Sequence, residues 1–145
     1  MYSLEHGTHG RSFEDGDVVL VDHHVQVGVG GAHLPQDVFE GIQAIVNEVR
    51  ARLPKSKIVI FSIFPRKAGP AFERAKSVNA MLPQLADGKY VSHFDLNPFF
   101  TTEKGQQNKT FYNKDLLHFN EQGYLVWAKA LKPLLEKHGL RVNLN

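Results

Sequence analysis

Apolar residues along this chain fall into three short runs separated by longer periodic stretches. The runs are Val18-Val19-Leu20-Val21, Lys57-Ile58-Val59-Ile60-Phe61-Ser62-Ile63-Phe64 and Tyr90-Val91-Ser92-His93-Phe94-Asp95-Leu96. Each is short and rich in β-branched or aromatic residues, as buried strands are, and Pro65 closes the second. Val38, Ile42, Ile45, Val46, Val49 and Leu53 recur at helical spacing between the first two runs. Pro35 stands near the first turn of that helix, Asp37 and Glu40 favour the positive end of its dipole, and Pro54 ends it. Ala75, Val78, Leu82 and Leu85 predict a second helix over 71–85, with Pro83 disturbing its end. A third is predicted from Glu121 to Lys137, with Tyr124, Trp127, Leu131, Leu134 and Leu135 on one apolar face.

The segments between are polar or glycine-rich. Residues 1–17 read as an N-terminal arm or loop, and 18–140 as one α/β domain. Residues 22–34 are irregular, 65–70 form a Pro/Gly loop, and 97–119 form a long loop. Strands alternating with helical crossovers imply parallel pairing, here in a three-layer α/β/α sandwich. Ligand sites in such sheets lie beyond the carboxyl ends of the strands. The loops after Val21, Phe64 and Leu96 belong to that edge.

Composition narrows the function classes. A length of 145 residues is enough for one domain with its own core. The net charge of +2 is small and its lysines and arginines are spread, so no nucleic-acid partner is expected. The absence of cysteine excludes disulfides, zinc–thiolate sites and a cysteine nucleophile. No apolar run reaches membrane-spanning length and the first residues lack a signal-peptide core, so a soluble chain without a membrane span is expected. Nothing here fixes its compartment.

Candidate chemistry centres on Asp115-Leu116-Leu117-His118, just before the third helix. A carboxylate three residues ahead of an imidazole can hold the ring's Nδ1–H and present Nε2 as a general base. A surface histidine is the simpler reading of the spacing alone. Five histidines, His6, His9, His23, His24 and His33, crowd the first part of the chain beside Asp22. Their spacing matches no metal signature, and no metal is expected. Gly28-Val29-Gly30-Gly31 lacks the Lys-Ser/Thr of a phosphate-binding loop and reads as a flexible turn. Arg66 is either a pocket residue or a solvated turn residue. Phe99, Phe100, Phe111 and Tyr112 either line an acyl pocket or pack the long loop onto the body.

Four blocks in order carry a family resemblance. They are Glu40-Gly41-Ile42-x-Ala44-Ile45-Val46, Leu53-Pro54-x-x-Lys57-Ile58-Val59, Ile63-Phe64-Pro65-Arg66, and Asp115-Leu116-Leu117-His118-Phe119 followed by Gly123-Tyr124 and Trp127. Asn79, after Val78, fits the same pattern. Residues 35–137 thereby resemble the carboxyl-terminal two thirds of an SGNH/GDSL-type hydrolase, most like the platelet-activating-factor acetylhydrolase catalytic-subunit branch. The resemblance implies an SGNH-hydrolase (flavodoxin-like) sandwich lacking its first strands. It also implies a serine ester hydrolase acting on a small-molecule ester without a cofactor. In it His118 is the general base, Asp115 its orienting carboxylate, and Gly28 an oxyanion donor. The family's Gly-Asp-Ser block is not found in these 145 residues. Ser12 is the nearest stand-in for its serine, and Gly30 occupies the place of a second oxyanion donor, an asparagine. Without the first strands, the strand at 18–21 would expose an edge, which favours either cover by the N-terminal arm or a homo-oligomer. A non-catalytic interaction module on the same scaffold is the alternative reading, and a histidine-dependent metal protein a third.

Overall fold

The three apolar runs form one parallel sheet in a computed structural model that describes residues 15–21 and 34–139. Its strands are β1 (Val18–Val21), β2 (Lys57–Phe61) and β3 (Val91–Phe94), in the order β1-β2-β3. Val19 sits opposite Ile58, and Ile58 opposite Val91, which fixes the register across all three. β2 is the central strand, and Ile58, Val59, Ile60 and Phe61 are all inaccessible to solvent. Its unbroken apolar run is what burial on both faces requires.

Alternation along the strands divides the core in two. Val19, Val21, Ile58, Ile60 and Val91 face α1 (Pro35–Arg52) and α2 (Pro70–Met81). Val18, Leu20, Val59, Phe61 and Phe94 face α3 (Glu121–Lys137). Two successive right-handed crossovers stepping the same way along a sheet leave their helices on one face. The later helix then takes the other. The architecture is therefore the expected three-layer α/β/α sandwich.

Three boundaries differ from the sequence-based expectation. β2 ends at Phe61 rather than Phe64, because beyond Ser62 the backbone of Ile63 is bound by a side chain instead of a strand. Asn79 accepts from the Ile63 N–H at 2.7 Å and donates to its carbonyl at 2.9 Å. α2 ends at Met81, and Leu82–Leu85 continue as a 3₁₀ turn with Pro83 in its first turn. A proline has no N–H to extend an α-helix. β3 covers Val91–Phe94, within the predicted 90–96. By contrast α3 keeps its predicted bounds and continues through Pro133.

One edge of the sheet belongs to β1, which among the described residues pairs with β2 alone. On its α3 side, Val18 and Leu20 are only half-buried, whereas their β2 neighbour Val59 is fully buried.

Candidate active site

The segment from β3 to α3 is folded back on itself by local hydrogen bonds. Two 3₁₀ turns, Asn97–Phe99 and Lys109–Phe111, alternate with antiparallel bridges Thr101–Gln107 and Tyr112–Phe119. The second bridge closes a small loop with Asp115 to His118 at its tip. The Asn113 N–H donates to the His118 carbonyl at 2.8 Å, and the Leu116 N–H to the Asn113 carbonyl at 2.9 Å.

Within the tip, both oxygens of Asp115 are engaged as acceptors. Its Oδ1 takes the backbone N–H groups of Leu117 at 2.9 Å and His118 at 3.0 Å, and its Oδ2 lies 2.7 Å from His118 Nδ1. The bond from His118, helped by those two N–H groups, holds the Asp115 pKa down at about 2. Near neutrality the carboxylate can only accept, so Nδ1 must carry the proton, and in the neutral ring Nε2 carries the lone pair. That is the tautomer a general base needs. The dyad lies at the surface, its side chains 48% and 49% exposed.

This geometry strains the backbone at one residue. Leu116, between the two, adopts φ +52°, the one left-handed non-glycine residue among those described. Such a conformation costs of order 1–3 kcal/mol and persists only where the surroundings impose it. Gln107 contributes to that constraint: its buried Nε2 donates to the Leu116 carbonyl at 2.8 Å and to the Pro65 carbonyl at 3.0 Å. Pro65 follows β2, so the dyad loop is tied to the carboxyl edge of the central strand.

Aromatic packing fixes the other side of the loop. Phe119 stacks on fully buried Phe100 with centroids 4.5 Å apart and meets Phe64 edge-on at 4.8 Å. Phe100 also contacts Phe111 edge-on. These rings, with partly buried Phe111 and buried Tyr112, pack the long loop onto the α3-side core. Phe99 is half exposed. Tyr124, expected on the apolar face of α3, is instead 53% exposed and rests edge-on against Phe119. Asn120 caps α3 by accepting from Gly123 N–H at 3.0 Å and ties it to the loop by donating to the carbonyls of Thr110 and Tyr112.

Asp115 and His118 are thus brought together, while Gly28, Gly30, Ser12 and the five N-terminal histidines lie outside the described residues. Arg66 is half-buried near Tyr112. Burial lowers the guanidinium pKa, which the nearby Tyr112 partly offsets. Burial also raises the pKa of the Tyr112 phenol, which the Gln107 side chain and then Arg66 partly offset. A cavity of about 140 Å³ adjoins Pro65, walled by Ile63, Phe64, Phe72, Ala75, Asn79 and Asn97 among others. Among the described residues no group of three His, Asp or Glu side chains is placed to hold a metal ion.

Two features escape the sequence. Ser62 Oγ, one residue past the end of β2, lies 2.9 Å from Nε2 of His93 in β3, 31 residues away. Gln107 sits in a stretch with no periodicity, and its partners are 42 and 9 residues away. Nothing local marks it.

Comparison with known proteins adds an independent line. The model of the GDSL-like lipase/acylhydrolase family matches residues 15–126. The human platelet-activating factor acetylhydrolase IB subunit alpha1 is 32% identical over 107 residues, covering 71% of this chain and 46% of the relative. The rat alpha2 subunit is 33% identical over 109 residues, covering 70% and 44%. The chain spans about half the length of these curated relatives. A carbohydrate esterase family 3 protein from Talaromyces cellulolyticus superposes with TM-score 0.64 at 17% identity, over 84% of this chain and 57% of its own. A structure described as a platelet activating factor from Streptococcus pneumonia superposes with TM-score 0.68 at 22% identity, over 82% and 59%. At these identities the two structures speak for the fold, an SGNH-hydrolase-type α/β sandwich.

Proposed function

Because the chain belongs to the GDSL-like lipase/acylhydrolase family, we propose that Asp115 and His118 form the acid–base half of an ester-hydrolysing site. The observation that carries this reading is the 2.7 Å contact between His118 Nδ1 and Asp115 Oδ2, and the same contact holds the Asp115 pKa down at about 2. In the proposed reaction, His118 Nε2 takes the proton of a serine hydroxyl as its oxygen attacks the ester carbonyl carbon. The resulting imidazolium is stabilised by Asp115. It returns the proton to the departing alkoxide as the ester C–O bond breaks. Water then repeats the sequence on the acyl-serine, releasing the acid and regenerating the serine. No cofactor enters.

The nucleophile belongs to the Gly-Asp-Ser block of the family pattern, which these 145 residues do not contain. We assign it to the part of the family fold that this chain does not span, and retain Gly28 as the proposed oxyanion donor. The substrate proposed is a small-molecule carboxylic ester. The same absence favours a second reading, a non-catalytic interaction module on this scaffold. Hydrolysis of short-chain p-nitrophenyl esters, by this chain joined behind a Gly-Asp-Ser-bearing segment of a relative, separates the two. Turnover that His118→Ala abolishes supports the first, and turnover indifferent to that change excludes it.

A further inference from the structure

We propose that Gln107 is a positioning residue that sets the tautomer and aim of His118 by holding Leu116 in its left-handed conformation. This role deepens the hydrolase reading, since it concerns the same dyad, yet it rests on the loop itself.

The dyad needs Asp115 and His118 to face each other across two intervening residues. Asp115 accepts from the backbone N–H groups of both Leu117 and His118, and the chain turns sharply between them and Asp115 at Leu116, where φ is +52°. A leucine does not choose that conformation, because its Cβ crowds the backbone there. In an exposed tip something must select it. Two groups do. The Asn113 carbonyl receives the Leu116 N–H at 2.9 Å, and Gln107 Nε2 donates to the Leu116 carbonyl at 2.8 Å. The first bond is internal to the loop and moves with it. The second is external.

Gln107 is a firm anchor. It is 7% exposed, and its other Nε2 hydrogen is committed to the Pro65 carbonyl at 3.0 Å. Pro65 in turn lies two residues after Ile63, whose carbonyl accepts from both Asn79 and Asn97 at 2.9 Å and whose N–H is held by Asn79. A continuous path of hydrogen bonds and backbone therefore runs from α2, through the end of β2 and the Gln107 amide, to the strained residue between acid and base. Two carbonyls facing one NH₂ group suit an amide. A carboxylate or a hydrocarbon of the same size offers them no donor.

The test reads the resting protein and needs no substrate. Side-chain nitrogen NMR of ¹⁵N-labelled protein reports which ring nitrogen of His118 carries the proton, and thermal unfolding by circular dichroism reports the fold. In wild type the Nδ1–H form is expected to dominate. Gln107→Met keeps the volume and removes both donors; expected is a folded protein in which His118 loses that preference. Adding Leu116→Gly, which takes the left-handed conformation without steric cost, is expected to restore at least half of it. If Gln107→Met does not fold, Gln107→Asn, one methylene too short to span both carbonyls, is expected to lose the preference likewise. A folded Gln107→Met or Gln107→Asn protein with the wild-type tautomer overturns the proposal, as does a double variant that recovers nothing. Failure of ester hydrolysis would leave these spectra unchanged, so the two readings fail separately.

Discussion

Gly123 shows how much of the dyad's placement rests on single residues. It lies in the first turn of α3, and a Cβ built there would sit 2.2 Å from the Phe111 carbonyl oxygen and 2.9 Å from Phe119 Cβ. Both neighbours belong to the loop that carries the dyad, and one is backbone. Gly123→Ala must therefore push helix and loop apart, an overpacking that costs roughly 1–3 kcal/mol or more. A lowered urea midpoint with unchanged slope is expected; an unchanged midpoint would show that the contact yields freely. Asp115 and His93 contribute pH dependence of the same direction by different routes. The Asp115 pKa is depressed from 3.8 to about 2, so its contribution to stability is present above the ordinary range and is lost as pH falls toward 2. Its exposure keeps that contribution small. The His93 pKa is lowered from 6.5 by burial, against the pull of Asp95. Below pH 6.5 the unfolded chain takes up that proton first, so stability declines with falling pH. His93→Gln is expected to flatten this dependence in unfolding experiments between pH 7 and 5, and an unaltered slope would assign it elsewhere.

At the scale of elements, the exit from β2 is the joint that aligns sheet, α2 and dyad loop. Asn79 replaces a neighbouring strand for Ile63, satisfying both its N–H and its carbonyl. Asn79→Ala leaves the N–H without that acceptor, while the carbonyl keeps Asn97. A buried donor left unsatisfied costs about 1–3 kcal/mol. Asn79→Asp, which keeps the acceptor, is expected to recover part of the loss in thermal unfolding. This joint also marks where sequence reasoning stops. Strands and helices are legible because periodicity is a local property: β2 reads as apolar because it is buried on both faces, and α3 begins where Asn120 can cap it. Asp115 and His118 are legible because their contact spans only three residues. The end of β2 is not, because Ser62-Ile63-Phe64 remain apolar in composition, while the change of hydrogen-bond partner comes from a helix 16 residues away. Gln107 is hidden for the same reason, since its role is defined by carbonyls on two other segments. Pro83 does signal a disturbance, but composition does not say that a 3₁₀ turn will follow it.

The whole molecule is a family sandwich shown over half the length of its relatives. Its dyad stands half-exposed at the sheet's carboxyl edge, and β1 leaves Val18 and Leu20 half-buried beside an edge that no other described strand pairs. An apolar strand edge is a template for association. Light scattering behind size exclusion is expected to show a homo-oligomer of the 145-residue chain that Leu20→Lys disperses; a monomer at high concentration would point to cover by the chain's own arm. The same edge is where we place the remainder of the family fold, bearing the nucleophile. Hydrolysis of p-nitrophenyl acetate therefore tests the hydrolase reading most directly, measured on this chain joined behind a Gly-Asp-Ser-bearing segment of a relative. Hydrolysis that falls by roughly 10³-fold or more with His118→Ala is expected, on the scale seen when a triad member is removed. A folded, completed sandwich that hydrolyses the ester equally well with alanine at position 118, or not at all with histidine there, would contradict it.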